Sequence, residues 1–235
     1  MIQKLKKYFN NKINSFLKKR FVLLCPDLVT TSLSNQFADV PIHFFKNNFS
    51  NGFIGEYSKL YSQYFLKSCK IGNHTYIAYN SKIHMTTIGN FCSIGPNFVC
   101  GHGIHPTNGI STSPEFYSTL KQTGHTFSET SKFEEIKPIN IGNDVFIGMN
   151  VCVLDGVTIH DGAMIGAGAV VIKDIPPYAI AVGVPAKVVK YRFDEKTIQK
   201  LLKIKWWNWD EDKLKEVEKY CFDIETFVNK YDKEA

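Results

Sequence analysis

The chain has 235 residues, 44% hydrophobic, 21% charged and 14% aromatic, with a net charge of +6. That is enough apolar material for one large all-β domain with appendages or for two small domains, and it predicts a soluble globular protein. No apolar run approaches the roughly 20 residues of a membrane span; the longest near the start covers residues 21–25.

The charge is unevenly placed. Residues 1–20 carry Lys4, Lys6, Lys7, Lys12, Lys18, Lys19 and Arg20 and no acid, so the remainder is close to neutral. Ile2, Leu5, Phe9, Ile13, Phe16 and Leu17 recur at helical spacing. This predicts a basic helix that either docks its apolar stripe on the same protein or lies on an anionic membrane surface. The start lacks the apolar segment and small-residue cleavage site of a secretory signal, so a cytoplasmic location is expected, at the inner face of the membrane only where residues 1–20 take the second of these courses. The six cysteines form no CxxC pair, which predicts reduced, structural thiols.

Residues 21–70 are rich in aromatics, and Asn51-Gly52 signals a turn. Residues 1–53 are taken as an N-terminal segment. Ile54-Gly55-Glu56-Tyr57-Ser58 reads as a degenerate first repeat, because end repeats of a stacked array are atypical.

From Ile71 an aliphatic residue returns every sixth position: Ile71, Ile77, Ile83, then Ile88 and Ile94, with Cys100 in the next slot. The step from Ile83 to Ile88 is five, so one turn is shortened. A second block keeps strict phase at Ile141, Ile147, Val153, Ile159, Ile165 and Val171. An amphipathic helix repeats at about 3.6 and a half-buried strand at 2, so a period of six needs another geometry. Small or β-branched residues recur four places on: Thr75, Ser81 and Cys92 in the first block, Val145, Val151, Val157, Ala163 and Ala169 in the second. Each hexad then reads as a short strand plus a turn, stacked into a solenoid with both residues inside.

Between the blocks, residues 101–140 have no period and contain His102, His105, His125, aromatics and two prolines near the start. A long loop inside a compact solenoid points to function. After the second block, Lys173-Asp174-Ile175-Pro176-Pro177 breaks the repeat, since proline cannot continue a hydrogen-bond ladder. A strand-like run follows, and then the period turns helical. Asp194 is a predicted N-cap for a segment with Ile198, Leu201, Leu202 and Ile204, and Asp210 for one with Leu214, Val217 and Tyr220. Trp206, Trp207 and Trp209 between them are expected to pack these helices onto the coil. The expected organisation is therefore 1–53, a coil over 54–192 with its excursion at 101–140, and a helical segment over 193–235.

Several stretches together carry a resemblance. They are Phe91-Cys92-Ser93-Ile94-Gly95-Pro96, His105-Pro106-Thr107 with Ser111-Thr112-Ser113-Pro114, the Ile165–Val171 rung, the Lys173–Pro177 stop, Gly183-Val184-Pro185-Ala186-Lys187 and Trp206-Trp207-Asn208-Trp209. Over roughly residues 71–215 the chain resembles the xenobiotic acetyltransferase subgroup of the hexapeptide-repeat acetyltransferases. That subgroup is related to the type B chloramphenicol acetyltransferases and to polysaccharide O-acetyltransferases. The resemblance implies a mainly β fold, a left-handed parallel β-helix, assembled as a homotrimer with active sites between subunits. It implies acetyl-CoA as donor, no metal, and a sugar hydroxyl of a surface polysaccharide or its precursor as acceptor, with chloramphenicol or a streptogramin as the alternative.

By the same resemblance His105 is the general base, with His102 as its rival. The Met149 N–H would meet the oxyanion, the backbone near Ala167 would pair with coenzyme A amides, and Lys173, Lys187 and Lys190 would meet its phosphates. The subgroup often has Arg at the last two places, so a bidentate clamp is lost there. Candidates for the acceptor site are His84, Asn108, Glu115 and Tyr117, and Glu134 or Glu135 could orient His105. Two other classes compete with this reading. The γ-class carbonic anhydrases share the coil but need three zinc ligands, two of them separated by four residues, whereas His102 and His105 are separated by two. A non-enzymatic scaffold would use the coil only as a surface.

Overall fold

The computed structural model describes residues 48–232. The predicted basic helix over residues 1–20 lies outside the described residues.

The hexads fold into short parallel strands that form the three faces of a solenoid. The first face stacks Asn48–Ser50, Tyr64–Lys67, Ser81–His84, Val99–Cys100, Cys152–Val153 and Val170–Val171. The second stacks Phe53–Ile54, Lys70–Ile71, Thr86–Ile88, Ile139–Ile141 and Thr158–Ile159. The third runs from Lys59–Leu60 through Tyr76–Ile77, Ser93–Ile94, Phe146–Ile147 and Met164–Ile165 to Ala179–Val182. There an antiparallel strand, Lys187–Tyr191, ends the sheet.

The period of six is explained by what lies inside. Every aliphatic slot of the second block, Ile141 to Val171, is buried, and so are Val145, Val151, Val157, Ala163 and Ala169. Registered pairing puts like on like: Ile77 beside Ile94, Ile94 beside Ile147, Ile147 beside Ile165. The polar residues in the small slots are satisfied by the neighbouring rung. Ser58 Oγ donates to Gly72 O at 2.6 Å and Thr75 Oγ1 to Gly89 O at 2.8 Å. In the next coil the Cys92 thiol donates to Gly142 O at 3.1 Å.

The corners carry their own ladders. At one corner an Asn or Asp side chain caps the backbone N–H of the rung before it. Asn73 Oδ1 accepts from Glu56, Asn90 from Asn73, Asn143 from Asn90 and Asp161 from Asn143, at 2.7–2.9 Å. At another, Asn80, Asn97 and Asn150 pass amide hydrogen bonds of 2.7 Å up the stack. All three hold left-handed backbone, which Asn tolerates well.

The corner between the first and second faces is the one at which the coil is interrupted. Early coils are seventeen residues long there, with Phe53 beside Lys70 and Lys70 beside Thr87. Only Met85 separates Ser81–His84 from Thr86–Ile88, and that is the five-residue step seen in the sequence. The excursion leaves this same corner after Cys100 and returns with Ile139, whose N–H donates to Met85 O. The exit bends sharply at Gly101 (φ +69), where an added Cβ would collide with His84 O.

Three helices close the structure: α1 (Glu195–Ile204), α2 (Glu211–Lys219) and α3 (Ile224–Tyr231). Asp194 and Asp210 are N-caps, accepting from the Thr197 and Lys213 N–H groups, and Asp223 caps α3 through Thr226. The indoles pack as expected. Trp207 is buried and its carbonyl accepts from Asn90 Nδ2, while Trp206 ends a column of rings through Phe91, His74 and Tyr57.

Ile147→Ala removes a fully buried side chain between two identical neighbours and is expected to lower the unfolding free energy by about 2–5 kcal/mol, read from the shift in denaturant midpoint at constant m.

Candidate active site

His105 lies in the excursion, exposed to solvent. Its Nδ1 is 2.9 Å from Thr112 O and 2.8 Å from Tyr117 Oη. A carbonyl oxygen only accepts, so these partners assign the Nδ1 proton, which Nδ1 donates to Thr112 O and shares with Tyr117 Oη. The Tyr117 hydroxyl donates to the same carbonyl at 3.2 Å. The neutral ring then carries its lone pair on Nε2, which has no partner among the described residues.

Local sequence explains the arrangement. Pro114 opens a 3₁₀ turn, Pro114–Phe116, and Tyr117 follows it with its ring buried against Phe133. Burial, and then the Glu135 carboxylate, push the Tyr117 phenol up from its ordinary value, so it remains a hydrogen-bond donor at neutral pH. Beside this pair is a cavity of about 630 Å³ lined by Pro106, Asn108, Ile110, Ser111, Tyr117 and Lys132 among others.

The other expected residues are distributed as follows. Asn108 and Tyr117 line the cavity, but Tyr117 is tied to His105 and is part of its support. Glu115 is turned into its own loop, accepting from Thr123 Oγ1 at 2.6 Å with His125 Nδ1 at 3.9 Å. His84 lies at the loop's exit, its Nδ1 donating to Gly101 O at 3.1 Å. His102 is exposed, with Nε2 3.4 Å from Lys82 O. Glu135 Oε2 accepts from Gln122 and Glu135 O from the Ile104 N–H, so the group holding the His105 ring is a backbone carbonyl. Thr112 O was invisible in the sequence because every residue has a carbonyl. In the sequence Glu134 and Glu135 are only candidates for that place, beside the alternative that both are solvated.

Met149 and Ala167 occupy successive rungs of one exposed corner. Gly95 stacks over the Met149 N–H and Gly148 over the Ala167 N–H, where an added Cβ would stand 2.8 and 2.6 Å away. Neither N–H donates to an acceptor among the described residues. Lys173, Lys187 and Lys190 are exposed near the same end of the coil and make no ion pair among the described residues. Burial pushes the Cys92 and Cys100 thiols up to about 12, so neither of these two is a nucleophile at neutral pH. Among the described residues no three His, Cys, Asp or Glu side chains gather as a metal site.

A stacked hexapeptide coil with an inserted histidine loop and unspent corner amides defines a class, a transferase built on this repeat. Residues 138–173 match the family model described as bacterial transferase hexapeptide (six repeats). The chain is 36% identical over 165 residues to a chloramphenicol acetyltransferase of Agrobacterium fabrum, covering 69% of this chain and 78% of that one. It is 37% identical to a probable macrolide acetyltransferase of Lysinibacillus sphaericus, covering 62% and 83%. It is also 37% identical to the galactoside O-acetyltransferase of Escherichia coli, covering 51% and 52%. The chain belongs to the hexapeptide-repeat acetyltransferases, in the xenobiotic acetyltransferase subgroup, and is an acetyltransferase.

Burial first, and then the Lys67 charge, lower the His84 pKa below its ordinary 6.5. A depressed histidine favours the fold while neutral, so its contribution is complete above about pH 6.5 and is lost as pH falls through the lower folded value. An NMR titration is expected to give His84 a midpoint below that of a free histidine, and Lys67→Ala should move it part of the way back.

Proposed function

We propose that the protein is an acetyl-CoA-dependent O-acetyltransferase acting on a sugar hydroxyl of a surface polysaccharide or its precursor, with His105 as general base. The observation that carries the reading is the Thr112–His105–Tyr117 triangle, which leaves the Nε2 lone pair without a partner among the described residues, beside a cavity that Pro106 and Tyr117 line. Nε2 takes the acceptor's hydroxyl proton as the oxygen attacks the thioester carbonyl, then returns it to the departing thiolate. The new ester bond replaces the C–S bond, and no covalent enzyme intermediate is required.

The Met149 N–H is a donor for the oxyanion, since it has no acceptor of its own among the described residues. The Ala167 N–H would pair with an amide of the coenzyme A arm, and Lys173, Lys187 and Lys190 would face its phosphates as point charges. The cavity supports a sugar by its composition. Asn108, Ser111 and Lys132 offer hydrogen bonds, and Phe116, Tyr117 and Phe133 offer ring faces. The galactoside O-acetyltransferase relative supports the same acceptor class. The antibiotic reading has its own support in the relatives named for chloramphenicol and macrolides.

The flat faces of the coil suit a closed homotrimer with the donor bound between neighbouring coils. Among the described residues no helix is long and apolar enough to cross a membrane. A cytoplasmic protein touching the inner membrane face through residues 1–20 fits the charge of that segment.

His105→Ala is expected to lower kcat by about 10²–10⁴ with little change in KM for acetyl-CoA; parent-like turnover would remove His105 as the base, and acetyl-CoA neither bound nor consumed by either protein would leave only the scaffold reading. A mass-spectrometric panel of glycans and galactosides run beside chloramphenicol and a streptogramin is expected to show acetyl addition to the sugars, and turnover of the antibiotics alone would reverse the order of acceptors. Light scattering should give three times the chain mass, and an active monomer would rule out a shared site.

A further inference from the structure

The excursion that carries His105 is closed at its base by a side chain from the next rung. Asp155 Oδ2 accepts from the Gly103 N–H at 3.0 Å, and Oδ1 accepts from the Lys137 N–H at 3.2 Å. One carboxylate therefore holds the outgoing and the returning strand of the same loop. Beside it the Ile104 N–H donates to Glu135 O at 2.8 Å, so residues 103–104 run against 135–137.

The register explains why this residue can reach both. Cys100 pairs with Val153, and Asn140 pairs with Thr158. Counting outward from those pairs, the segment after Cys100 and the segment before Asn140 both arrive over residues 154–156. Asp155 is thus at the corner of the following coil, directly against the gap through which the loop leaves and returns. Gly156 completes the seat. The stem of Lys137 packs over it, with Cδ 3.3 Å from where an added Cβ would stand.

We propose that Asp155 is a positioning residue for the transfer reaction, a clasp that sets the loop so that the His105–Thr112–Tyr117 triangle stands at a fixed height over the coil. It touches neither donor nor acceptor. Gly103 is two residues from His105, so freedom at the clasp passes into the ring's position with little intervening chain. Carboxylate chemistry is required at this place. Both N–H groups need an acceptor, and an Asn would offer one oxygen and turn an N–H₂ donor toward the second. The inference rests on His105 being the base, and the test separates the two claims.

Asp155→Asn and Asp155→Ala are made in the full chain, with His105→Ala alongside. Amide hydrogen exchange by mass spectrometry is expected to speed up by about tenfold in peptides spanning 101–106 and 135–138, with the rungs around Ile94 and Ile147 unchanged. Coenzyme A binding by calorimetry is expected to stay at the parent level. With acetyl-CoA and whichever of a galactoside or chloramphenicol the parent acetylates, kcat is expected to fall by about 10- to 100-fold, with KM for acetyl-CoA unchanged. Unchanged exchange at both loop ends overturns the clasp, and so does faster exchange throughout the coil with loss of coenzyme A binding. If His105→Ala is inactive with parent-like exchange while Asp155→Asn keeps full kcat, the clasp fails and the base stands. If His105→Ala keeps full activity while the loop ends loosen in Asp155→Asn, the base fails and Asp155 holds only the loop.

Discussion

Everything in this structure depends on parallel rungs that stack in register, each backbone hydrogen-bonded to the one before. Strands in such a stack lie about 4.8 Å apart, so there is no room for an inserted segment within a face. An insertion must leave and return at one corner, with its two ends side by side. The excursion from Gly101 does so: Cys100 ends a rung on the first face, and Ile139 resumes over Met85 on the second. The aliphatic ladder inside the coil supplies the stability for this, because burial of like on like is repeated at every step. The loop that carries His105 is thereby tied to a rigid base.

The chemistry follows from the same constraint. A solenoid face uses its backbone N–H and C=O groups on neighbouring rungs, but corners can leave some unspent. Where Asn and Asp side chains form a ladder, as from Asn73 to Asp161, the corner amides are satisfied internally. At Met149 and Ala167 no such ladder is present, and two N–H groups on successive rungs face outward unpaired among the described residues. An extended, amide-bearing thioester suits a repeating row of donors of this kind. The histidine is held by a different means. A backbone carbonyl fixes which nitrogen carries the proton, and a buried tyrosine shares that carbonyl.

The helices at the end of the chain add a second, smaller core. Ile198, Leu201, Ile204, Trp207, Phe227 and Val228 are buried together with Tyr178, and Trp206 joins them to the ring column on the coil. Exposed cations on Lys187–Tyr191 precede this core. The helices thus cap a face of the coil without covering the corner where Met149 and Ala167 present their amides.

The fold was legible in the sequence because its determinant is local and periodic. One aliphatic every six residues, a small residue four places on and a five-residue step at Ile83–Ile88 describe the coil, and Asp194 and Asp210 announce their helices by the same kind of short-range rule. His105 stood out as a candidate through its loop and its proline. What holds His105 was not legible. Thr112 O belongs to a main-chain group that no sequence distinguishes, and Asp155 comes from a rung fifty residues away, where its letter reads as an ordinary corner residue. Glu115 was placed near the acceptor by its nearness in sequence, whereas the fold turns it inward to Thr123. Periodicity is a property of neighbours along the chain and survives in one dimension. The partners of a loop side chain depend on which rung the loop crosses, and only the stacked coil decides that.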